Sequence, residues 1–161
     1  MVRHHNPQPQ TAMGFVLKAL IPYSRQNMLL VFDSNTFFQE LEKISRYKKR
    51  TLQNALYEAE RRKLIEKQAN AWRLTIEGQK NVRPFVAERL SDGAKLMVIF
   101  DIPEDMAVTR AKFRRTLKLW QFAQVQKSVW TTSLDHKQSI KDLVNEMDLE
   151  PYVQLYECSS L

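Results

Sequence analysis

The amino-acid sequence predicts an α+β fold in which a mainly helical module with a short β-hairpin precedes a module of interleaved strands and helices. Apolar residues recur at helical spacing through most of the first half, whereas the second half alternates β-rich runs with helical ones. Charge divides in the same way. Residues 1–92 carry 16 lysine and arginine residues against 9 carboxylates, and residues 93–161 carry 9 of each.

Charge and composition limit the classes of partner. The net charge of +7 lies entirely in the first half, so we expect an anionic partner to bind there. The lone cysteine, Cys158, excludes an intramolecular disulfide. Because there is neither a long apolar stretch nor a signal peptide, we predict a cytoplasmic protein with no membrane contact.

The first elements follow from apolar spacing and from proline. Residues 1–10 are polar and are predicted to be flexible. A helix is predicted from Thr11 to Leu20, and Pro22 ends its pattern. The run QNMLLVF (26–32) fits a strand or part of a buried helix. The next helix has Ser34 or Asn35 as its expected N-cap, and its apolar face consists of Phe37, Phe38, Leu41 and Ile44.

The stretch from Ser45 to Lys67 predicts a helix with one apolar face and one basic, amide-rich face. Lysine and arginine neutralise phosphates, while glutamine and asparagine read base edges in a major groove. Arg61, at the far end, is expected to cap helix carbonyl groups or to meet phosphate. The inward stripe is predicted to consist of Leu52, Ala55, Leu56 and Ala59, and the DNA contacts in this region of Arg46, Lys48, Lys49, Arg50, Gln53, Asn54, Tyr57 and Arg61.

A β-hairpin is predicted directly after this helix. Its two runs, 64–68 and 72–76, are joined by a turn at residues 69–71, and we assign Asn70 and Arg73 as further DNA contacts. A helix followed by such a hairpin is the winged form of the helix-turn-helix, which we predict for residues 11–92. The alternative interpretation is a helical hairpin whose basic face is merely solvated. Residues 81–90 are predicted to form a closing helix with Pro84 in its first turn.

A family resemblance supports the winged interpretation. The chain contains RTLQNALYEAERRKLIEK and, after a short gap, WRLTIEG, which together resemble the recognition helix and wing of bacterial winged-helix regulators. Lys63 is a departure, because many relatives have glycine at that position. The resemblance implies that the helix is the recognition helix and that the glycine after RLT closes the wing.

The second half predicts a ferredoxin-like split βαβ domain over residues 93–161, with the division between the modules near residues 90–95. A strand is expected over residues 95–102, a helix over 107–121, a last strand over 152–158, and a second helix capped by Asp135. The segment AQVQKSVWTTSL between the helices fits one bent strand or two short ones. Since helices cover one face of the sheet, a second copy of the domain is the expected cover for the other face.

This half also resembles a known family. Its motif string consists of VIFDIPED, RAKFRRTLKLWQF and AQVQKSVW, as in the small dimeric subunit of the CRISPR spacer-integration complex. A winged helix placed before such a domain resembles PaaX-type repressors, named for the regulator of phenylacetic acid catabolism. In those proteins this domain is a dimerising platform, and the resemblance implies the same role here. They continue into a further helical domain, which we expect to be absent here, so a response to an acyl-CoA effector is not predicted and any effector is unknown.

The carboxylates that follow the first strand of this half allow two interpretations. The integration-complex resemblance implies that Asp101 lies near a dimer axis, where two copies share Mg²⁺ or Mn²⁺, as a metal-dependent nuclease or adaptation subunit requires. The other interpretation, which we favour, is a structural corner with no catalytic or metal role, in which Glu104 and Asp105 favour the start of the next helix. Arg110 and Arg114 are expected either to bind phosphate or, as we favour, to pair with Glu146 or Glu150.

These observations together predict a DNA-binding transcriptional regulator rather than an enzyme. We expect a repressor that binds a palindromic operator in double-stranded DNA as a homodimer, without a cofactor. The alternative is the CRISPR-associated adaptation subunit or nuclease that uses Asp101.

Overall fold

A computed structural model of the chain describes residues 8–21, 30, 33–68, 71–91 and 93–159. Helices and strands both contribute substantially, which confirms the α+β class. The chain divides into two compact units, an N-terminal unit of residues 8–85 and a C-terminal unit of residues 86–161. No helix in the described part of the chain is long and apolar enough to cross a membrane.

The N-terminal unit contains helices followed by a hairpin and a further helix. Thr11 starts the first helix, because its side-chain oxygen accepts a hydrogen bond from the amide of Gly14 at 3.0 Å. The predicted run 26–32 lies almost wholly outside the described residues, as does Pro22. The elements are α1 (Ala12–Ala19), α2 (Ser34–Ser45), α3 (Lys49–Arg61), β1 (Ile65–Gln68), β2 (Ala71–Leu74) and α4 (Ile76–Val82).

The core of this unit lies where α1, α2 and α3 meet. Their buried side chains recur at helical spacing, as expected for amphipathic helices that pack together. Ile44 was predicted to join this core, but its side chain is 61% exposed at the end of α2. The predicted cap of α2 was also wrong: the cap is Asp33, whose carboxylate accepts a hydrogen bond from the amide of Thr36 at 3.0 Å. The core residues include Val16, Leu17, Leu20, Phe37, Phe38, Leu41, Leu52 and Ala59.

The predicted closing helix over residues 81–90 is wrong. The helix α4 starts earlier, at the cap residue Thr75, and gives way to a 3₁₀ turn at Arg83–Phe85. Pro84, which has no amide hydrogen, lies in that turn. Beyond the turn the backbone is extended and pairs with another segment, because Leu90 donates to the carbonyl of Ser133 at 2.9 Å.

The C-terminal unit follows the predicted order of strands and helices. Its elements are β3 (Lys95–Phe100), α5 (Ala107–Leu119), β4 (Ala123–Gln126), β5 (Val129–Thr132), α6 (Lys137–Glu146) and β6 (Val153–Cys158). The segment between the helices therefore forms two short strands rather than one bent strand. The sheet has the order β4-β5-β3-β6, and every neighbouring pair is antiparallel.

The two faces of this sheet differ in exposure. Leu96, Val98 and Phe100 of β3 are buried, and the ring of Phe100 lies 5.3 Å from that of Phe113 in α5. The alternate residues Met97 and Ile99 are half-exposed, because side chains along a strand point to opposite faces. Helix packing therefore covers one face of the central strand in this unit.

Candidate nucleic-acid interface

The turn between α2 and α3 presents cations at both of its ends. Arg46 ends α2 with a φ of 62°, the left-handed conformation that glycine adopts at the least cost. Lys48, in extended conformation, is the cap residue of α3. Both side chains are exposed. The predicted contacts Arg46 and Lys48 therefore lie on a three-residue turn immediately before α3.

Two residues of α2 anchor the first residue of α3. The amide of Lys49 donates to a carboxylate oxygen of Glu42 at 3.2 Å. Its side-chain ammonium donates to the amide oxygen of Asn35. These contacts fix the angle at which the chain enters α3, and they engage the charge of Lys49 within the protein. The sequence pattern did not identify Asn35 or Glu42 as partners of Lys49, because both precede the basic stretch by several residues.

The helix α3 has the two faces that the sequence predicted. Leu52, Ala55 and Ala59 are buried, and Leu56 is half-buried beside them. The opposite face carries cations, amides and an aromatic ring that is 67% exposed at Tyr57. Positions three, four and seven apart share a face of a helix. This surface, which we call the α3 face, consists of Arg50, Gln53, Asn54, Tyr57 and Arg61, all of them exposed.

Arg61 forms an ion pair with Glu58, one turn earlier in α3. The guanidinium Nη2 lies 2.8 Å from a Glu58 carboxylate oxygen, and Nε also donates to that carboxylate. The pair lowers the pKa of Glu58, through its hydrogen bond with Arg61, and raises the pKa of Arg61. The predicted capping of helix carbonyls by Arg61 is therefore not what the structure shows. The i, i+3 spacing of opposite charges was the signal for this contact.

The junction between α3 and the hairpin depends on three residues with unusual environments. Lys63 has a φ of 56°, a conformation that glycine adopts at the least cost. The hydroxyl of Thr75 donates to the carbonyl of Lys63 at 2.8 Å and accepts from the amide of Gly78. A Cβ atom at Gly78 would lie 2.0 Å from the carbonyl oxygen of Leu64. The predicted motif RLT with a following glycine thus attaches the hairpin to the end of α3.

The hairpin carries two described, exposed cations, Lys67 on β1 and the predicted contact Arg73 on β2. β1 and β2 pair in antiparallel register, with Gln68 opposite Ala71 and Glu66 opposite Arg73. Arg73 is exposed, whereas Leu74 is buried. The predicted contact Asn70 lies outside the described residues. The structure therefore carries the predicted contacts on the turn before α3, on the α3 face and on β2.

Asp101 lies at an exposed corner after β3 in the C-terminal unit. Its backbone amide donates to the carbonyl of Tyr152 at 2.9 Å. Glu104 and Asp105 begin a 3₁₀ turn that leads directly into α5. Mg²⁺ takes about six oxygen ligands, yet among the described residues no group of three or more histidine, cysteine, aspartate or glutamate side chains could hold a metal ion. Within one copy, the described residues around Asp101 therefore lack the several ligands of a complete metal centre, and an ion shared between two copies at Asp101 stays a prediction.

The favoured pairing of Arg110 and Arg114 with glutamates is wrong. Arg110 donates to the carbonyl of Ile102 at 3.3 Å, and Arg114 donates to the carbonyl of Lys127 at 3.3 Å. The guanidinium of Arg114 also lies 5.5 Å above the ring of Phe100. Both arginines reach backbone carbonyls at strand ends close to their own helix, and these contacts brace α5 against the sheet.

His136 is buried in the C-terminal unit. Its ring stacks with those of Trp120 and Phe122, at centroid distances of 5.8 and 5.5 Å, and Nε2 lies 2.9 Å from the carbonyl oxygen of Trp120. Burial lowers the pKa of His136 to about 4. The ring is therefore neutral at pH 7 and serves the core. His136 directly precedes α6 but makes no capping hydrogen bond with its side chain, whereas the carboxylate of the predicted cap, Asp135, accepts a hydrogen bond from the amide of Lys137 at 3.2 Å.

Comparisons with known proteins relate the C-terminal unit to one family. No curated protein sequence matches the chain significantly. Among solved structures, a similar chain is "Uncharacterized protein Rv0674" from Mycobacterium tuberculosis, with 20% identity and a TM-score of 0.41 over 94% of this chain and 63% of that one. This chain thus spans less than two thirds of that protein. Residues 88–161 match the family model described as the PaaX protein central Cas2-like domain, which supports a PaaX-like protein.

Proposed function

We propose that this protein is a sequence-specific DNA-binding transcriptional regulator, and that it represses as a homodimer on a palindromic operator. The observation that carries the proposal is the α3 face, where exposed cations and amides share one side of a helix. The match of residues 88–161 to the central domain of PaaX proteins supports a regulator rather than an enzyme.

The N-terminal unit is proposed to be a winged helix-turn-helix. The order α2, short turn, α3 and hairpin supports this assignment, and α3 is then the recognition helix that enters the major groove. Gln53 and Asn54 carry the donors and acceptors suited to base edges. Arg50, beside them on the α3 face, adds to base recognition. Arg46 and Lys48 provide phosphate contacts, and Arg73 on the hairpin provides a flanking one.

The C-terminal unit is proposed to be a ferredoxin-like dimerisation domain. Its strand order β4-β5-β3-β6 is the order that a split βαβ plan requires. The face opposite the buried residues of β3 carries half-exposed apolar side chains, which a second copy would cover. Those residues include Met97 and Ile99 of β3 and Val129 of β5.

The test begins with a genome-wide pull-down of DNA by the full chain, followed by binding measurements on a recovered fragment and a scrambled one over a range of salt concentrations. We expect preference for the recovered fragment and a steep loss of affinity with salt. The double change Gln53→Ala and Asn54→Ala should reduce the preference strongly. Equal affinity for both fragments at every salt concentration would contradict the proposal.

Two controls make this test specific. The double change Gln138→Ala and Asn145→Ala removes the same residue types from the exposed surface of α6 and should leave DNA preference intact. The recovered fragment is also incubated with Mg²⁺ or Mn²⁺ and either the wild-type protein or Asp101→Ala. We expect no cleavage, and cleavage that disappears in the variant would instead support the nuclease.

A further inference from the structure

The ion pair between Glu58 and Arg61 lies at the end of the α3 face, and the following inference about it rests on the proposed DNA-binding function. Arg61 donates from Nε at 3.1 and 3.2 Å and from Nη2 at 2.8 Å to the two oxygens of Glu58. We propose that Glu58 is a positioning residue that orients Arg61 to read a guanine. Arg61 then determines specificity instead of adding general affinity for phosphate.

The geometry of the pair leaves the reading edge of Arg61 available. A guanidinium has five N–H donors in a planar fork. Glu58 takes the edge formed by Nε and Nη2, which leaves the hydrogens at Nη1 and one at Nη2 directed away from the carboxylate. Arg61 is 64% exposed, and the structure gives it no other hydrogen bond within the described residues. Two parallel N–H groups on that edge match the O6 and N7 acceptors of guanine.

The charge of the pair favours a base edge over a phosphate. Glu58 and Arg61 together carry no net charge. The pair therefore releases few counterions from a nearby phosphate and contributes little to phosphate affinity. The carboxylate oxygens of Glu58 also repel a phosphate that approaches the same guanidinium. A guanine edge is neutral and escapes most of this repulsion. Pairing with Glu58 therefore lowers the affinity of Arg61 for the DNA phosphates. It also fixes the plane of the guanidinium in the orientation that bidentate recognition of guanine requires.

The position of Arg61 makes it a distinct reading point. Arg50, Asn54, Tyr57 and Arg61 fall at i, i+4, i+7 and i+11, along one side of α3. At about 1.5 Å per residue, Arg61 lies roughly 16 Å along the helix axis from Arg50. Arg61 would thus contact a base pair well separated from the one that Arg50 approaches.

The experiment selects binding sites from a duplex library with a randomised window, using wild-type protein, Glu58→Gln, Arg61→Lys and Arg61→Ala. We expect the wild-type consensus to contain a guanine whose preference falls about 10- to 100-fold in both Arg61 variants, with other positions unchanged. In Glu58→Gln, binding to random duplex should strengthen, the salt dependence should steepen by about one phosphate contact, and the guanine preference should fall.

The matched control is Glu77→Gln. Glu77 pairs with Lys80 at 3.3 Å in the same i, i+3 arrangement, and the two side chains are 53% and 40% exposed. The substitution Glu77→Gln therefore removes an equal charge elsewhere in the N-terminal unit. Equal effects of Glu58→Gln and Glu77→Gln, or a uniform loss across all sequences in Arg61→Lys, would overturn the inference. A wild-type chain that selects no sequence overturns the proposed function as well, whereas selected sites with no guanine dependent on Arg61 overturn only this inference.

Discussion

Some single residues in this chain adopt backbone conformations that glycine would adopt at a lower conformational cost. Arg46 and Lys63 both have positive φ, at 62° and 56°, where glycine avoids the steric cost of a side chain. One follows α2 and the other follows α3, so both flank the proposed recognition helix. A cation kept at such a position is consistent with a role in binding that offsets its conformational cost.

Arg46→Gly should raise stability while it weakens DNA binding. The change removes the left-handed strain, so we expect a gain of up to about 1 kcal/mol in the free energy of unfolding. It also removes a proposed phosphate contact, so affinity should fall and the salt dependence should lose about one contact. Urea unfolding and fluorescence anisotropy with labelled duplex measure the two effects. Asp148→Gly, at a φ of 54° in the C-terminal unit, is the control that should change stability alone.

His136 should make stability depend on pH below neutrality. Its pKa is lowered from 6.5 to about 4 in the folded chain, so the unfolded chain binds its proton first as the pH falls. Full stability is present above pH 6.5, and the loss grows to about 3 kcal/mol as the pH reaches 4. His136→Phe keeps an aromatic ring but cannot titrate. Urea unfolding between these pH values should give a flatter dependence for the variant, and parallel curves would contradict the prediction.

At the scale of elements, the junction of α3 and the hairpin depends on close backbone approach. Gly78→Ala would place a Cβ atom 2.0 Å from the carbonyl oxygen of Leu64. The hairpin or α4 must shift, so we expect a loss of more than about 2 kcal/mol. Thermal unfolding measures this loss. Gln79→Ala, at the next and exposed position of α4, should cost far less, and equal losses would show that the close approach is not the cause.

Periodicity and turn chemistry predicted most elements, and the errors have local causes. The apolar stripe of α3 and the sequence of strands and helices along the C-terminal unit were predicted from periodicity, although one bent strand or two short ones remained open between the helices. The closing helix over residues 81–90 was wrong because residues 88–90 pair with residues 133–135, a long-range contact that leaves no local pattern. The partners of Arg110 and Arg114 were wrong for a similar reason. Charge pairing was expected, whereas each guanidinium donates to a nearby backbone carbonyl.

At the scale of the whole molecule, the proposed dimer requires the open face of the C-terminal sheet to be covered. Ile99 is half-exposed on that face, between Val129 of β5 and Gln154 of β6. Ile99→Glu would place a charge in the proposed contact, and the cost of desolvating it should separate the copies. Analytical ultracentrifugation should then show a monomer. Val108→Glu is the control. Val108 is 85% exposed on α5, so this substitution also replaces an aliphatic side chain by a carboxylate, but outside the proposed contact.

The same Ile99→Glu variant connects assembly to DNA binding. Two linked recognition helices bind a palindrome more tightly than one, since the second contact is made at a high effective concentration. The variant should therefore lose affinity for a palindromic duplex by about 100-fold while its affinity for a single half-site stays unchanged. A wild-type monomer, or a variant that still sediments as a dimer, would contradict the proposed interface. Loss of half-site binding would instead indicate that the substitution has disturbed the fold.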